Sequence, residues 1–503
     1  MPRMGFAIDN RACIGCHACT VACKSEHQVP LGVNRTWVKY IEKGTFPNAR
    51  RSFNVQRCNH CEDAPCVEIC PVTSLYARPD GIVDFDSDRC IGCKACMQAC
   101  PYDALYLDPE TNTAAKCNYC THRVDNGYEP ACVVVCPVEA IVSGDLDDAD
   151  GKLARLDREQ RVQYPKAEKN TRPKLFYVGG ESAALDPSAA PPKSTYLWSA
   201  NALDLKPANL DAARQEAENR ARRVYDPKTK PTPWGWMVSA YVTTKAIATG
   251  TALAACILFA LGRTAAVLPL WAAAVSVLFL ALTGFLLVAD LKQPQRFLYV
   301  LLRPQWKSWL VRGAYLIGAF ALALVVACFA GAANASRAAQ LFIAGVLSLT
   351  SAAAAVYTAW LFAQAKGRDY WQNPLLPITM LADALIAGVA VVTVFGAFHA
   401  DCGITESDAR VAIVASAMLL ALLQTAECLT PHPTRNAELT AGLILRGEFA
   451  APFWLGVVVV GIAAPLVICL LGGPALIAAL ALLIGIAVKN DVLVQAPQRV
   501  PLS

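Results

Sequence analysis

The chain has 503 residues, of which 55% are hydrophobic and only 17% charged, against a usual charged share of about 25%. Most charged residues precede Trp236, and the remainder consists largely of Ala, Leu, Val, Ile and Gly, which predicts a polar half followed by a membrane half. The net charge of +5 is modest and gives no indication of a nucleic-acid partner, so we expect none.

Sixteen of the 21 cysteines form four groups of four in the polar half. Each group opens with Cys-x-x-Cys and closes with two cysteines separated by three residues. The first and third groups have the spacing Cys-x2-Cys-x2-Cys-x3-Cys of bacterial ferredoxins, in which the fourth cysteine ligates the other cluster of a pair. The sequence therefore predicts four iron–sulfur clusters that form a series of electron carriers. The groups are Cys13, Cys16, Cys19, Cys23; Cys58, Cys61, Cys66, Cys70; Cys90, Cys93, Cys96, Cys100; and Cys117, Cys120, Cys132, Cys136.

Three other uses of these cysteines explain less of the pattern. Structural zinc needs only two Cys-x-x-Cys pairs and leaves the third and fourth cysteine of each group unexplained. Disulfides are disfavoured because residues 1–10 lack the apolar run of a signal peptide. The run Cys13-Ile-Gly-Cys16-His17 matches the attachment pattern of c-type haem, but its continuation through Cys19 and Cys23 favours a cluster.

We divide the chain into three parts. Residues 1–180 are expected to form an α+β iron–sulfur domain, with short strands at 81–86 and 104–108. Residues 181–233 are a linker, in which residues 209–224 are predicted to form a charged helix that either braces the two domains or merely tethers them. Residues 234–503 are expected to form an all-α transmembrane domain.

Eight apolar stretches in the last part are mostly near the length of about 20 residues that spans a bilayer. They fall at about 236–262, 265–289, 309–332, 339–365, 374–399, 409–429, 451–472 and 474–490, and the last is short. An even number of spans places both ends of the domain on one face.

The basic residues of the loops are divided unequally between the two faces. By the positive-inside rule, the face that carries both ends of the domain, and with it the iron–sulfur domain, is predicted to be cytoplasmic in the inner membrane. That face carries Lys292, Arg296, Arg303, Lys307, Lys366, Arg368, Arg435, Arg446, Lys489 and Arg499, and the other carries only Arg263, Arg337 and Arg410.

Over about residues 5–180, the four cysteine groups resemble the iron–sulfur subunit of the dimethyl sulfoxide reductase family of molybdenum enzymes. This resemblance implies two ferredoxin-like folds, built from the first and fourth groups and from the second and third. It implies four [4Fe-4S] clusters, because every ligand cysteine of the family is present. It also implies a partner subunit with a molybdopterin cofactor (molybdenum or tungsten) that performs the substrate chemistry. The implied ligand sets are Cys13, Cys16, Cys19 and Cys136; Cys117, Cys120, Cys132 and Cys23; Cys58, Cys61, Cys66 and Cys100; and Cys90, Cys93, Cys96 and Cys70.

The membrane half resembles the NrfD/polysulfide-reductase and dimethyl sulfoxide reductase anchors, which bind quinone without haem. The matching residues are Trp234-Gly-Trp-Met-Val-Ser-Ala-Tyr, Asp290-Leu-Lys-Gln-Pro-Gln-Arg-Phe, Ser308-Trp309 and Gly461-Ile-Ala-Ala-Pro465. Because the two halves are separate subunits in most relatives, the chain resembles a natural fusion of them. A membrane b-type haem normally needs two buried histidines, and only His399 lies in or near a span, so no haem is expected.

Two charged residues are predicted near similar depth in the bilayer. Lys245 and Asp383 each lie about nine residues into a span, or about 13 Å. A charge at mid-bilayer costs roughly 2.5–3.5 kcal/mol, so each requires an explanation. They are expected to pair or to line a polar cavity that exchanges protons with quinone; the alternative is a salt bridge that only fixes helix packing.

Four further residues near the ends of the first three spans complete the candidate quinone pocket. They offer aromatic walls and a carboxylate that exchanges protons: Tyr241, Asp290, Arg296 and Trp309. Gln424 and Glu427, near the end of the sixth span, are weaker candidates.

The sequence thus predicts a non-catalytic electron-transfer and membrane-anchor subunit of an oxidoreductase complex. A cytoplasmic active site in the partner favours a quinone-reducing dehydrogenase, for example of sulfite or formate. A terminal reductase of dimethyl sulfoxide, polysulfide or tetrathionate that oxidises quinol is the first alternative. A redox-driven proton pump that uses Lys245, Asp383 and His399, and a multihaem cytochrome as partner, are two others.

Overall fold

The computed structural model describes residues 2–44, 47–187, 189–190, 221–226, 232–332, 335–399 and 402–503. The chain divides into two units, Met1–Pro233 with Pro501–Ser503, and Trp234–Val500. We call them the iron–sulfur unit and the membrane unit and describe each by itself.

The described residues of the iron–sulfur unit form four small sheets. The strands are β1 (Met4–Asp9), β2 (Thr36–Lys43), β3 (Arg50–Arg57), β4 (Leu75–Ala77), β5 (Val83–Phe85), β6 (Tyr106–Leu107), β7 (Ala114–Ala115), β8 (Ile141–Asp145), β9 (Val162–Gln163), β10 (Leu175–Val178) and β11 (Arg222–Tyr225). In the largest sheet, strands follow the order β8-β1-β10-β9, with β1 parallel to β10 and the other two pairs antiparallel. A second sheet has the order β11-β2-β3, and β4-β5 and β6-β7 form two antiparallel pairs. Strands β5 and β6 lie where short strands were predicted.

The predicted linker helix is wrong at its end. Residues 209–220 lie outside the described part of the chain, and residues 222–224 belong to β11. This strand pairs with the edge of β2, and Arg222 adds a salt bridge to Glu42 at 3.3 Å. Pairing with an open sheet edge satisfies the backbone of this segment, so tertiary context overrides its local helix preference.

Helices of the iron–sulfur unit are short, and four of them carry the third cysteine of a group: Cys19, Cys66, Cys96 and Cys132. The helices are α1 (Ala18–Glu26), α2 (Pro65–Ile69), α3 (Ala95–Ala99), α4 (Thr121–Val124), α5 (Ala131–Val134), α6 (Lys152–Glu159) and α7 (Ser182–Leu185). Alternate residues of β1 and β10 face opposite sides of the sheet. One side packs with Cys19 and Cys132, and the other packs against α6.

Within the described part of the membrane unit, eight helices are long and apolar enough to cross a bilayer, all at the predicted positions. The eighth was predicted to end at residue 490 and instead continues to Arg499. The polar run Lys489-Asn490-Asp491 indicated a helix end, but Lys489 and Asn490 are buried between helices. The spans are Trp236–Ala260, Leu270–Ala289, Trp309–Ala332, Arg337–Gln364, Leu376–Gly396, Glu406–Leu429, Pro452–Leu470 and Ala475–Arg499, with short helices at Tyr299–Leu302 and Arg435–Leu445.

Both ends of the membrane unit meet at one face of the bundle, which we call the terminal face. The Gln498 side chain accepts a hydrogen bond from the Trp234 amide at 3.0 Å and donates one to its carbonyl at 2.8 Å. The first, third, fifth and seventh spans therefore begin at the terminal face, and the even spans end there.

The eight spans form two halves with the same internal packing. In spans one to four, the first packs on the second and fourth and the third on the fourth; spans five to eight repeat these contacts. Each half has its own apolar core. The halves are therefore related by an approximate two-fold axis that runs along the bundle.

Glycines allow close helix crossings, one between the two halves and one within the second half. The first and fifth spans cross at Gly250 and Gly388, where a methyl group on Gly250 would lie 1.8 Å from the Ala384 carbonyl oxygen. The seventh and eighth spans cross at Gly461 and Gly485 in the same way. Small residues at such crossings allow the close backbone approach on which helix packing in membranes depends.

Candidate functional site

Each of the four Cys-x-x-Cys loops contains a residue in the left-handed backbone region directly before its second cysteine. These residues are Gly15, His60, Gly92 and Tyr119, with φ of 70°, 43°, 68° and 65°. Such turns point successive backbone N–H groups into one concavity, which suits a negatively charged group such as an iron–sulfur cluster. At Gly15 a side chain is excluded, since a Cβ would lie 2.3 Å from Phe53.

Backbone amides already point at several of the cysteine sulfurs. The Gly92 and Ala114 amides each donate to Cys90 Sγ at 3.4 Å, and the Ala140 amide donates to Cys136 Sγ at 3.2 Å. Hydrogen bonds of this kind stabilise thiolates and tune the potential of a bound cluster.

The cysteines that lie near one another come from different groups. Burial raises the pKa of the Cys23 thiol, and its strongest thiol neighbours are Cys117, Cys132 and Cys120 rather than cysteines of its own group. Cys136 is the strongest thiol neighbour of Cys13. The fold thus interleaves the first and fourth groups.

The second and third groups are interleaved in the same way. Burial raises the pKa of Cys66, and its strongest thiol neighbour is Cys100. The strongest thiol neighbour of Cys93 is Cys70. Both groups therefore contribute to two neighbouring sites, as the first and fourth do.

Charge interactions between cysteines of different predicted ligand sets place the four sets in a row. Cys19 interacts with Cys132, Cys117 with Cys58, and Cys96 with Cys66. The first interaction links the predicted set of Cys13, Cys16, Cys19 and Cys136 to the predicted set of Cys117, Cys120, Cys132 and Cys23. The next two lead on to the site of Cys58 and then to that of Cys90. Sites arranged in this order allow an electron to pass from each site to the next.

Buried polar side chains beside the cysteines fit a cluster that accepts hydrogen bonds. Arg57 is 1% exposed and donates from Nη1 to Cys132 Sγ at 3.0 Å, while its Nε and Nη2 meet no partner among the described residues. Burial lowers the pKa of Arg57, but Cys132, Cys117 and Cys19 raise it more, so the net pKa lies above its ordinary value.

Two histidine side chains also lie beside the cysteines. His60 is buried, accepts from the Val83 amide at Nδ1, and leaves Nε2 without a partner in the described part of the chain. His27 Nε2 lies 3.1 Å from Cys120 Sγ, and burial lowers its pKa to about 4, so the ring is neutral at pH 7. No three Cys, His, Asp or Glu side chains of the described residues converge on a single metal ion, and a cluster with one cysteine per iron does not require them to.

In the membrane unit, Lys245 bonds only to neutral groups in the described structure. Its ammonium donates to the Ala355 carbonyl at 2.9 Å and to the Thr358 hydroxyl, and it lies 4.3 Å from the centre of the Tyr357 ring. Tyr241 also hydrogen-bonds Thr358. The first and fourth spans thus share a buried polar cluster near the terminal face.

Two other predicted residues adjoin this cluster. Asp290, half-buried at the end of the second span, lies close enough to Tyr241 for a Coulombic interaction. Trp309 opens the third span and stacks on Trp360 of the fourth, with ring centres 4.9 Å apart. Arg296 lies in the turn Pro294–Arg296 at the same face.

The expected pairing of Lys245 with Asp383 is wrong. Asp383 accepts two hydrogen bonds from Lys489 of the eighth span, at 2.7 and 2.8 Å, and both side chains are buried. The two-fold relation explains this: Lys245 and Asp383 each precede the crossing glycine of their span by five residues, so each faces the last span of its own half. The sequence alone placed Lys489 in a loop.

The second half contains a small cavity near the terminal face. It has a volume of about 30 Å³ and is lined by Gln424, Glu427 and Lys489 with Tyr370 and His432, among apolar residues. This is room for a water molecule and is far below the several hundred Å³ of a typical ligand site. The two weaker candidates of the sixth span therefore lie near Lys489 rather than near the cluster of the first half.

The fold and the sites define a multi-pass membrane protein with a ferredoxin-like iron–sulfur unit, a class that carries electrons. The family described as "4Fe-4S dicluster domain" matches residues 12–75 and again residues 50–146. The family described as "Polysulphide reductase, NrfD" matches residues 226–499, more than half of the chain, and the chain belongs to this family.

Several curated proteins are similar to a third of the chain. One subunit of tetrathionate reductase from Salmonella typhimurium is 41% identical over 189 residues, covering 37% of this chain and 76% of that protein. One polypeptide of polysulfide reductase from Wolinella succinogenes is 41% identical over 189 residues, covering 37% and 98%. Protein NrfC of Escherichia coli is 40% identical over 179 residues, covering 35% and 80%. The chain therefore resembles iron–sulfur subunits of reductases joined to an NrfD-type anchor, as the sequence indicated.

Proposed function

We propose that this protein carries electrons between a molybdopterin-containing catalytic subunit and membrane quinone through four [4Fe-4S] clusters. The observation that carries the proposal is the row of four cysteine sites. We assign the sets Cys13, Cys16, Cys19 and Cys136; Cys117, Cys120, Cys132 and Cys23; Cys58, Cys61, Cys66 and Cys100; and Cys90, Cys93, Cys96 and Cys70.

The first site of the row faces the catalytic subunit in this proposal. Cys16 is exposed, unlike most of the other cluster cysteines. Large apolar side chains lie exposed on the same motif and on the packed helices α1 and α5: Ile14, Val21 and Val134 are 55%, 65% and 58% exposed. An exposed apolar patch around a redox site is typical of a protein interface.

The polar cluster of the first half is the proposed quinone pocket. Tyr241 and Lys245 offer hydrogen-bond donors to the quinone oxygens, and Trp309 offers an aromatic wall. Asp290, half-buried at the terminal face, exchanges the two protons of the couple with solvent. Quinone supplies the two-electron chemistry; the side chains bind its head and hold the protons. Asp383 is bound to Lys489 in the other half, so we assign it no contact with this quinone, and Arg296 stays a candidate for the pocket's edge.

Loop charges support a cytoplasmic iron–sulfur unit in the inner membrane. Two of the ten basic residues counted on the terminal face are buried, Arg368 and Lys489, which leaves eight against three on the other face. The imbalance still favours a cytoplasmic terminal face. A cytoplasmic partner would act as a quinone-reducing dehydrogenase, of the sulfite or formate type.

The names of the relatives favour a second candidate. Tetrathionate reductase and polysulfide reductase, from which two of the similar proteins come, are reductases by name. In that case the electrons flow from quinol through the clusters to the partner.

The test uses the full chain in nanodiscs. A short-chain quinol is added and cluster reduction is followed by electron paramagnetic resonance, in the wild type, in Lys245→Met and in Gly284→Ala, a control on the open side of the second span. We expect quinol to reduce the clusters in the wild type and the control, with a loss in Lys245→Met. The proposal would be contradicted if quinol did not reduce the clusters in the wild type, or if it reduced them equally well in Lys245→Met. Molybdenum and haem measured in the purified complex identify the partner.

A further inference from the structure

The Asp383–Lys489 ion pair lies within the membrane-spanning part of the chain, between the fifth and eighth spans. The side chains are 4% and 7% exposed, and the carboxylate takes two of the three N–H donors of the ammonium. An ion pair at this depth is costly to desolvate and is often replaceable by apolar residues, so it requires a reason beyond stability.

Polar groups around the cavity lead from this pair toward the terminal face. Lys489 lines the cavity together with Gln424, which donates to Glu427 at 3.3 Å. Tyr370 also hydrogen-bonds Glu427, and its ring lies 5.8 Å from the ring of His432. Glu427 and His432 are half-buried, so this end of the path reaches solvent.

The cavity also has the properties of a water site. Its volume of about 30 Å³ is enough for a water molecule, and amide, carboxylate and ammonium groups line it.

We propose that the second half of the membrane unit contains a proton port, in which Asp383 exchanges protons with the terminal face through Glu427 and water in this cavity. The titratable groups that face the cavity are Tyr370, Glu427, Cys428, His432 and Lys489, with Asp383 behind Lys489. The occupant is a proton, which needs no larger cavity.

Only a proton moves in this transfer, no group is oxidised or reduced, and charge is conserved. A proton leaves the Glu427 carboxyl, crosses the cavity water and binds the Asp383 carboxylate, while Lys489 stays an ammonium. Glu427 is then protonated again from solvent. The pair gains one positive charge, which offsets the negative charge that an electron brings to the neighbouring half.

A free cysteine at the mouth of the port allows a direct test. Cys428 lines the cavity and is exposed, and its modification by a thiol reagent should block the path without changing the buried pair. The full chain, in nanodiscs and with ¹³C-labelled aspartate carboxyls, is acidified rapidly, and the infrared C=O band of protonated aspartate is recorded with time. This readout needs neither quinone nor partner.

The expected result is a component of the aspartate band, beyond the signal of the other aspartates, that is absent in Asp383→Asn/Lys489→Gln, a pair of changes that removes both charges of the ion pair. After modification of Cys428 this component should appear roughly tenfold more slowly, since a positioned proton relay has been blocked. Cys428→Ser treated with the same reagent, and Glu438→Gln on a nearby exposed position, should behave as the untreated wild type. The port would be overturned if the wild type and the double variant gave the same band, or if the component rose as fast with Cys428 blocked and in Glu427→Gln as in the untreated wild type.

Discussion

At the scale of single residues, Arg57 is the charge most closely tied to the cluster sites. It is buried against Cys132 Sγ, and its guanidinium lies 4.6 Å from the centre of the Phe6 ring. Replacing it by Met removes a positive charge, so a cluster bound by Cys132 becomes harder to reduce. We expect its midpoint potential to fall by on the order of 100 mV, as a single charge at this range and an effective dielectric constant of 20 would produce.

The measurement is a redox titration followed by electron paramagnetic resonance. Arg57→Lys keeps the charge and should retain most of the potential, although it loses the planar fork of donors. Equal potentials in Arg57→Met and the wild type would show that the guanidinium does not act on the cluster.

The Asp383–Lys489 pair predicts an asymmetric effect on stability. Asp383→Asn leaves Lys489 buried without a counter-ion and should lower the free energy of unfolding by about 3–5 kcal/mol. Asp383→Asn combined with Lys489→Met removes both charges and should recover most of that loss. Thermal unfolding of the full chain in detergent measures both, and a double variant less stable than either single one would exclude the pair as described.

The sequence predicted the roles of residues well where metal-ligand chemistry dictates their spacing. It predicted them poorly where a side chain pairs with a residue far away in the chain. Sixteen cysteines could be grouped from their intervals alone. Lys489 was interpreted as a loop charge because its partner lies 106 positions away, on another span. Thr358 and Tyr357, which bind Lys245, carried no signal, because hydroxyl and aromatic side chains are ordinary in a span.

At the scale of elements, the crossing of the first and fifth spans depends on Gly250. Gly250→Ala should destabilise the membrane unit by about 1–3 kcal/mol, because the added methyl meets the backbone of the fifth span and forces the two helices apart. The measurement is the thermal unfolding midpoint in detergent.

Gly284→Ala is the matched control, since a methyl group there meets nothing within 4 Å. It should be neutral or slightly stabilising, because alanine favours a helix by up to about 1 kcal/mol over glycine. If both substitutions have the same effect, close packing at the crossing is not what requires Gly250.

Element boundaries show the same limit of prediction from sequence. The spans were located correctly because about 20 apolar residues are needed to cross a bilayer, which is a strong local signal. The eighth span was predicted to end at residue 490, and residues 222–224 were assigned to a helix, since neither a buried ion pair nor a free strand edge is visible in local sequence.

At the scale of the whole molecule, two internal duplications organise the chain. The iron–sulfur unit interleaves cysteine groups in pairs, and the membrane unit repeats a four-helix half around an approximate two-fold axis. The polar cluster of Lys245 and the cavity beside Lys489 occupy equivalent places in the two halves. We therefore infer that equivalent positions serve different functions, binding quinone in the first half and exchanging protons in the second.

The interleaving of cysteine groups makes a prediction for the whole iron–sulfur unit. Cys23 belongs to the first group in sequence, but its thiol neighbours are Cys117, Cys120 and Cys132. Cys23→Ala should therefore disturb the cluster of the fourth group and spare the one that Cys13 and Cys16 hold. Chemical iron should fall from about sixteen atoms per chain toward about twelve, since each [4Fe-4S] cluster holds four.

Iron analysis and electron paramagnetic resonance of the purified full chain measure both effects, with Cys256→Ala, a buried cysteine of the first span, as the matched control. A loss of the signal that Cys16→Ala also removes would mean that Cys23 ligates within its own group. The first and fourth cysteine groups would then not be interleaved.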